Sequence, residues 1–217
     1  MQARRFPGWI SSFGDRHGGG LAAEPRSDAL VFRAADGASA SCEVPFPPFT
    51  PSGEMTPQAL AEAAAAHASA DRVVGVLLVR LGGYAAGVFT GSEPVLAASK
   101  VGSRLVHGRS AAGGQSQRRF ARRRENQAHQ ALSAAADTAA AVFAGYRLDA
   151  LVLGGDRRAV AALRADPRLT ACFERASGAF LTVPDPRLTV LKDTPRQFRA
   201  IRITLTEPQP AEIARPG

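Results

Sequence analysis

The chain is poor in several residue types. Among its 217 residues are two cysteines, Cys42 and Cys172, one tryptophan and two tyrosines, and only two of the 27 basic residues are lysines, Lys100 and Lys192. Two distant cysteines, without Cys-x-x-Cys or histidine spacing, supply neither a disulfide framework nor a zinc site, so both are expected as buried, reduced thiols. Long apolar runs are missing too. The longest aliphatic stretch, Val73 to Val79, is broken by Gly75 and falls far short of the ~20 apolar residues of a membrane span. Arg4 and Arg5 are followed by Trp9, Ile10 and Phe13 interleaved with Pro7, Ser11, Ser12 and Asp15, which is no signal-peptide core. A cytoplasmic protein without membrane contact is the expectation.

Disorder is excluded as well. At 45% hydrophobic and 21% charged residues the chain has ordinary globular usage and enough length for one large domain or two smaller ones. The surplus is of positive charge, +8 with a pI near 10.8, carried by 25 arginines. A polyanionic partner fits that balance, and the distribution of the charge decides the matter.

The pattern divides the chain. Phe6 to His17 spaces Trp9, Ile10 and Phe13 helically and stops at Gly18-Gly19-Gly20. Residues 29–33 and 38–44 flank Asp36-Gly37, a strong hairpin signal, so residues 1–50 read as a small helix–hairpin module with Trp9 and Phe13 in its core. The proline-rich run from Val44 to Pro51 reads as an extended connector whose aromatics dock on a neighbour, and Thr56-Pro57 opens an Ala-rich helix to Ala70; residues 51–71 are linker and helix. A second domain is expected over 72–206. Val73–Arg80, Tyr84–Thr90 and Val95–Val101 form an antiparallel meander, Gln117 to about Phe143 a long helix with Phe120, Ala128, Leu132, Ala135 and Ala139 on its apolar side, and Leu148–Leu153 a buried strand leading through Gly154-Gly155-Asp156 into a helix at 157–164. Asp149 reads as a strand flank and Asp156 as a helix cap. Phe180–Val183 is one further strand candidate, Val190 reopens an extended run, and 198–205 reads as a final edge strand; residues 207–217 read as a frayed tail. The fold class is therefore α+β or α/β.

One segment concentrates the charge. Residues 104–124 hold Arg104, Arg109, Arg118, Arg119, Arg122, Arg123 and Arg124, with no acid before Glu125. On a helix, Arg118/Arg122 and Arg119/Arg123 are like-charged pairs, each costing about 0.2–0.5 kcal/mol, and the charge sits at the end where the helix dipole favours acids. A start that breaks two local rules suggests binding to an anion. Immediately before it, Gly113-Gly114 permits the main chain to approach a partner closely, and Gln115 and Gln117 follow. Glutamine neither titrates nor attacks, so its use would be positional: an amide that orients a water or a leaving group.

This run resembles the Gly-Gly-Gln loop of class I peptide-chain release factors, and more closely the Vms-type peptidyl-tRNA hydrolases with their actinobacterial release-factor-like branch. The residues that carry it are His107-Gly108-Arg109-Ser110-Ala111-Ala112-Gly113-Gly114, then Gln115-Ser116-Gln117, then the Arg-rich helix start through Arg122-Arg123-Arg124-Glu125-Asn126-Gln127. In sequence the likeness spans about 100 to 127, and in architecture 72 to 205, where it is similar to an RNase H-like release-factor domain. The resemblance implies a hydrolase that enters the peptidyl-transferase centre of the large ribosomal subunit, contacts its rRNA and splits the ester between nascent chain and tRNA. A glutamine would coordinate the water, Gly113 and Gly114 would shape the loop and offer N–H groups to the oxyanion, and the arginines, with His107, would contact RNA. Gln115 completes a literal Gly-Gly-Gln, whereas Gln117 matches the branch position after Gly-Gly-x-Ser and stands at the helix onset; both remain candidates, with Gln117 preferred. No metal and no cofactor are called for.

Competing chemistries fit less well. A P-loop would need a lysine after the second glycine, a two-metal nuclease would need acids on strands 73–101 where only Glu93 occurs, in a turn, and Ser110 and Ser116 lack a nucleophile elbow. A non-catalytic ribosome-binding or RNA-binding protein that uses the arginine helix alone stays open as the alternative.

Overall fold

The structure, a computed structural model, describes residues 1–80, 82–104 and 116–207, with 116–124 as backbone. The chain forms two compact units, residues 1–70 with 199–217 and residues 71–198. Among the described residues no helix is long and apolar enough to cross a membrane.

In the first unit a short 3-10 turn leads into helix α1 (Phe6–Arg16), which buries Phe6, Ile10 and Phe13 at helical spacing. Trp9 is half-buried and stacks on Phe13 with ring centroids 5.5 Å apart. The hairpin β2 (Ala29–Arg33) and β3 (Ser39–Glu43) forms around Asp36-Gly37 as its turn chemistry predicts, with the Asp36 carboxylate accepting the Ala38 N–H at 2.9 Å. Two strands not expected there complete the sheet. Strand β1 (Ala22–Pro25) pairs with β2, and β8 (Arg202–Thr206) returns from the far end of the chain to pair with β3, in the order β1-β2-β3-β8. Helix α2 (Pro57–Ser69), capped by Thr56, buries Leu60, Ala61, Ala64 and Ala68 in the same core as α1. The connector docks as anticipated: Phe46 and Phe49 are buried, His67 on α2 donates a ring N–H to the Phe46 carbonyl at 3.0 Å, and its ring packs edge-on against Phe49.

The expected boundaries, 1–50, 51–71 and 72–206, thus change at two places. Helix α2 and strand β8 belong to the first unit, because Leu60, Ala64 and Ile201 are fully buried in its core. A five-residue alternating strand carries no label saying which sheet it joins.

The second unit is the mixed sheet that the resemblance implied. Strands β4 (Val74–Arg80), β5 (Gly83–Thr90) and β6 (Val95–Ser103) form the antiparallel meander, and β7 (Ala150–Gly155) pairs parallel to β4, in the order β6-β5-β4-β7. Six of the seven residues of β4 are buried, as in a strand covered on both faces. One face carries α3 (Ser116–Phe143), whose Ala135, Ala136 and Ala139 allow close approach to Leu77, Val79, Ala86 and Val88. Helix α4 (Arg157–Leu163) starts at Asp156, whose carboxylate accepts the N–H groups of Arg158 and Ala159. Asp149 accepts the Val73 N–H at 2.8 Å, so both acids hold strand and helix ends, as read from the sequence. A 3-10 turn at Pro167–Leu169 and helix α5 (Thr170–Phe173) follow.

Two strand expectations fail here. Phe180–Val183 gives a single bridge, Leu181 to Gly154, and the run at Val190 is helical: α6 (Leu188–Asp193) and α7 (Pro195–Phe198). Packing overrides the β-branched residues, since Leu191 is fully buried and Phe198 meets the Phe89 ring at 5.8 Å.

Candidate nucleic-acid interface

Strand β6 ends where β5 begins, with Ser103 opposite Gly83 and Gly102 opposite Tyr84. The Arg104 N–H donates to the Gly82 carbonyl at 2.9 Å, which anchors the root of the following segment, and the Arg104 side chain is exposed. His107, Arg109, Gly113, Gly114 and Gln115 lie outside the described residues. The helical backbone of α3 starts at Ser116, so Gln117 stands in its first turn and Arg118, Arg119, Arg122, Arg123 and Arg124 in the turns that follow. Their side chains, and that of Phe120, are outside the description as well.

At ~1.5 Å per residue the 28 residues of α3 span about 42 Å. Among the described side chains of α3, burial begins at Ala131. Glu125, Asn126, Ala128, His129 and Gln130 are exposed and Gln127 half-buried, while Ala131, Ala135, Ala136, Ala139, Val142 and Phe143 are buried. Ala128, expected on the apolar side of the helix, is a correction: it is exposed, whereas Ala131, Ala135 and Ala139 further along the helix are buried. The distal part is further tied down by Arg168, which donates to Asp137 on α3 at 2.8 Å and to Asp166 at 2.7 Å.

Strand β6 of the sheet thus leads into the Gly-Gly segment and the α3 backbone follows it. The two thiols of the described region are shielded from reaction by their surroundings. Burial pushes the Cys42 thiol up to about 12 and raises Cys172 as well, so neither is a ready nucleophile. Cys42 is buried as expected, whereas Cys172 is only half-buried. Among the described residues no three His, Cys, Asp or Glu side chains gather as a metal site would require.

The family model of the Actinobacteria/chloroflexi VLRF1 release factors matches residues 72–204, more than half of the chain. The chain belongs to this release factor family. Comparison with curated proteins gives no match. Membership connects the chain to translation termination or ribosome rescue, and hence to the ribosome. The matched region starts with the second unit, includes the whole Gly-Gly segment and α3, and ends within β8.

Sequence reasoning missed one group near this interface. Arg80 at the end of β4 and Arg187 before α6 lie beside Ser103 around a common cleft. Spacing could not reveal them, because residues 80, 103 and 187 meet only through the sheet and the α6 segment.

Proposed function

We propose that the chain is a peptidyl-tRNA hydrolase that works in the peptidyl-transferase centre of the large ribosomal subunit and frees nascent chains from stalled ribosomes. The observation that carries this reading is the release-factor family match over residues 72–204, a range that includes Gly113-Gly114-Gln115-Ser116-Gln117, together with a helix that begins at Ser116. Gln117 stands in the first turn of the α3 backbone and matches the position after Gly-Gly-x-Ser, which favours it over Gln115 as the residue that positions water.

The reaction balances with water alone. The water oxygen bonds to the ester carbonyl carbon, the bond from that carbon to the terminal ribose oxygen of the tRNA breaks, and the ribose oxygen takes up a proton. Gly113 and Gly114 contribute main-chain N–H groups toward the developing oxyanion. Arg104, Arg109, Arg118, Arg119, Arg122, Arg123 and Arg124 hold phosphates of rRNA and peptidyl-tRNA, with His107 at the same surface.

The decisive measurement is release of labelled peptide from purified ribosome–peptidyl-tRNA complexes. Q115A/Q117A protein is expected to bind within about twofold of the wild type and to release peptide about 10²–10³ times more slowly, with Q117A accounting for most of the loss. Release by the double variant at the wild-type rate overturns the hydrolase reading and leaves a non-catalytic ribosome-binding protein.

A further inference from the structure

A cleft of about 380 Å³ opens at the root of the Gly-Gly segment, lined by Arg80, Gly83, Gly102, Ser103, Asp185 and Arg187 among others. It continues into a neighbouring depression of about 720 Å³ that shares Arg80, Asp185 and Arg187. These three ionisable side chains therefore border one trough.

Their states differ usefully. Arg80 is half-buried, and its Nη1 donates to the Val183 carbonyl at 2.7 Å, which aims the guanidinium while leaving further N–H donors. Arg187 and Asp185 are exposed, and among the described residues none of the three makes an ion pair. Pro186, between them, is buried against Gly83, where an added Cβ would stand 3.4 Å from the proline Cδ. Asp185 and Arg187 thus flank a buried proline, with their side chains exposed at the wall.

Two guanidinium groups and one carboxylate in one trough fit a ligand with an anionic group beside hydroxyl donors. A phosphate takes paired N–H bonds from arginine, and a carboxylate accepts from a ribose hydroxyl. We infer that this trough seats one nucleotide of single-stranded RNA, with Arg80 and Arg187 on its phosphate and Asp185 on its ribose 2′-hydroxyl. Resting on the reading above, the inference makes the trough a second grip on the unpaired RNA end that carries the ester. It stands beside the strand end from which the Gly-Gly segment departs and is distinct from the arginines of α3.

The test uses the full chain and short fluorescein-labelled single-stranded RNA and DNA of one sequence, with anisotropy read at one fixed salt concentration. Arg187 makes no side-chain capping bond and Asp185 is exposed, so R187A and D185N are expected to keep the fold. R196A, which removes one exposed arginine elsewhere in the same unit, is the charge-matched control. R187A is expected to weaken RNA binding about tenfold against at most about twofold for R196A, and D185N to lower the ratio of RNA to DNA affinity severalfold. Equal losses in R187A and R196A, or a ratio that D185N leaves intact, overturns the assignment. Because the oligonucleotide carries no peptidyl ester, its binding is read independently of hydrolysis. A Gln115/Gln117 variant that still releases peptide would sink the hydrolase reading and leave the trough in place.

Discussion

Gly155 ends β7 with φ +98, and a Cβ there would overlap the Val79 carbonyl oxygen, which already accepts the Asp156 N–H at 2.7 Å. Strand β4 and the start of α4 therefore meet at a point where only glycine fits. Gly155→Ala is expected to destabilise the second unit by about 3–4 kcal/mol, read as a lower urea midpoint. Asp166 illustrates charge at the same scale. The side-chain hydrogen bonds from Arg168, then the Arg168 N–H, hold its carboxyl below the ordinary range. A carboxylate with a depressed folded value contributes fully above its unfolded pKa of about 3.9, and the contribution is lost as the pH falls through the folded value. Urea midpoints of the wild type and D166N should therefore differ by a constant amount at neutral pH and converge as the pH drops below about 4.

Helix α3 differs along its length, with exposed residues around 125–130 and buried ones from Ala131 on. From Ala131 onward, alanine on one face is what a helix laid closely on a sheet requires, and this part was legible as a 3.6-residue period. Before that point the same period continues, yet Ala128 is exposed. Periodicity says which face is apolar and not how far the partner surface extends. The earlier turns carry five arginines and no acid in the first turn. Replacing Arg119, Arg122 and Arg123 by glutamine is expected to weaken ribosome binding and to lower the slope of log affinity against log salt by about 1 for each phosphate no longer neutralised, as a salt titration of binding would show. Peptide release at saturating protein should change much less than in Q115A/Q117A.

Across the whole molecule the charge is divided unequally. The second unit holds nineteen Lys and Arg against ten Asp and Glu, and the first holds eight against nine. The excess that suggests a polyanionic partner thus belongs to the unit that contains the Gly-Gly segment, and the first unit is nearly neutral. The first unit is also discontinuous in sequence. Ile201, fully buried just ahead of β8, donates its N–H to the Met1 carbonyl at 3.0 Å, so the two chain regions close one core. Ile201→Ala is expected to cost about 2–5 kcal/mol. Hydrogen exchange should locate the loss, with amide protection falling in β2, β3 and β8 while β4 and β5 keep theirs.

The linear order of residues determined the local pieces: the Asp36-Gly37 hairpin, the capped helix after Thr56, the meander from residue 73, the long arginine-led helix and the Gly-Gly-Gln-Ser-Gln run between them. Each rests on interactions among near neighbours, or on a periodicity that a short window contains. The tertiary structure alone decided that β8 joins β3, that Val190 lies in a helix, and that Arg80, Ser103 and Arg187 border one trough. Those outcomes depend on which distant surfaces exclude water from one another, and no short stretch of chain holds both surfaces.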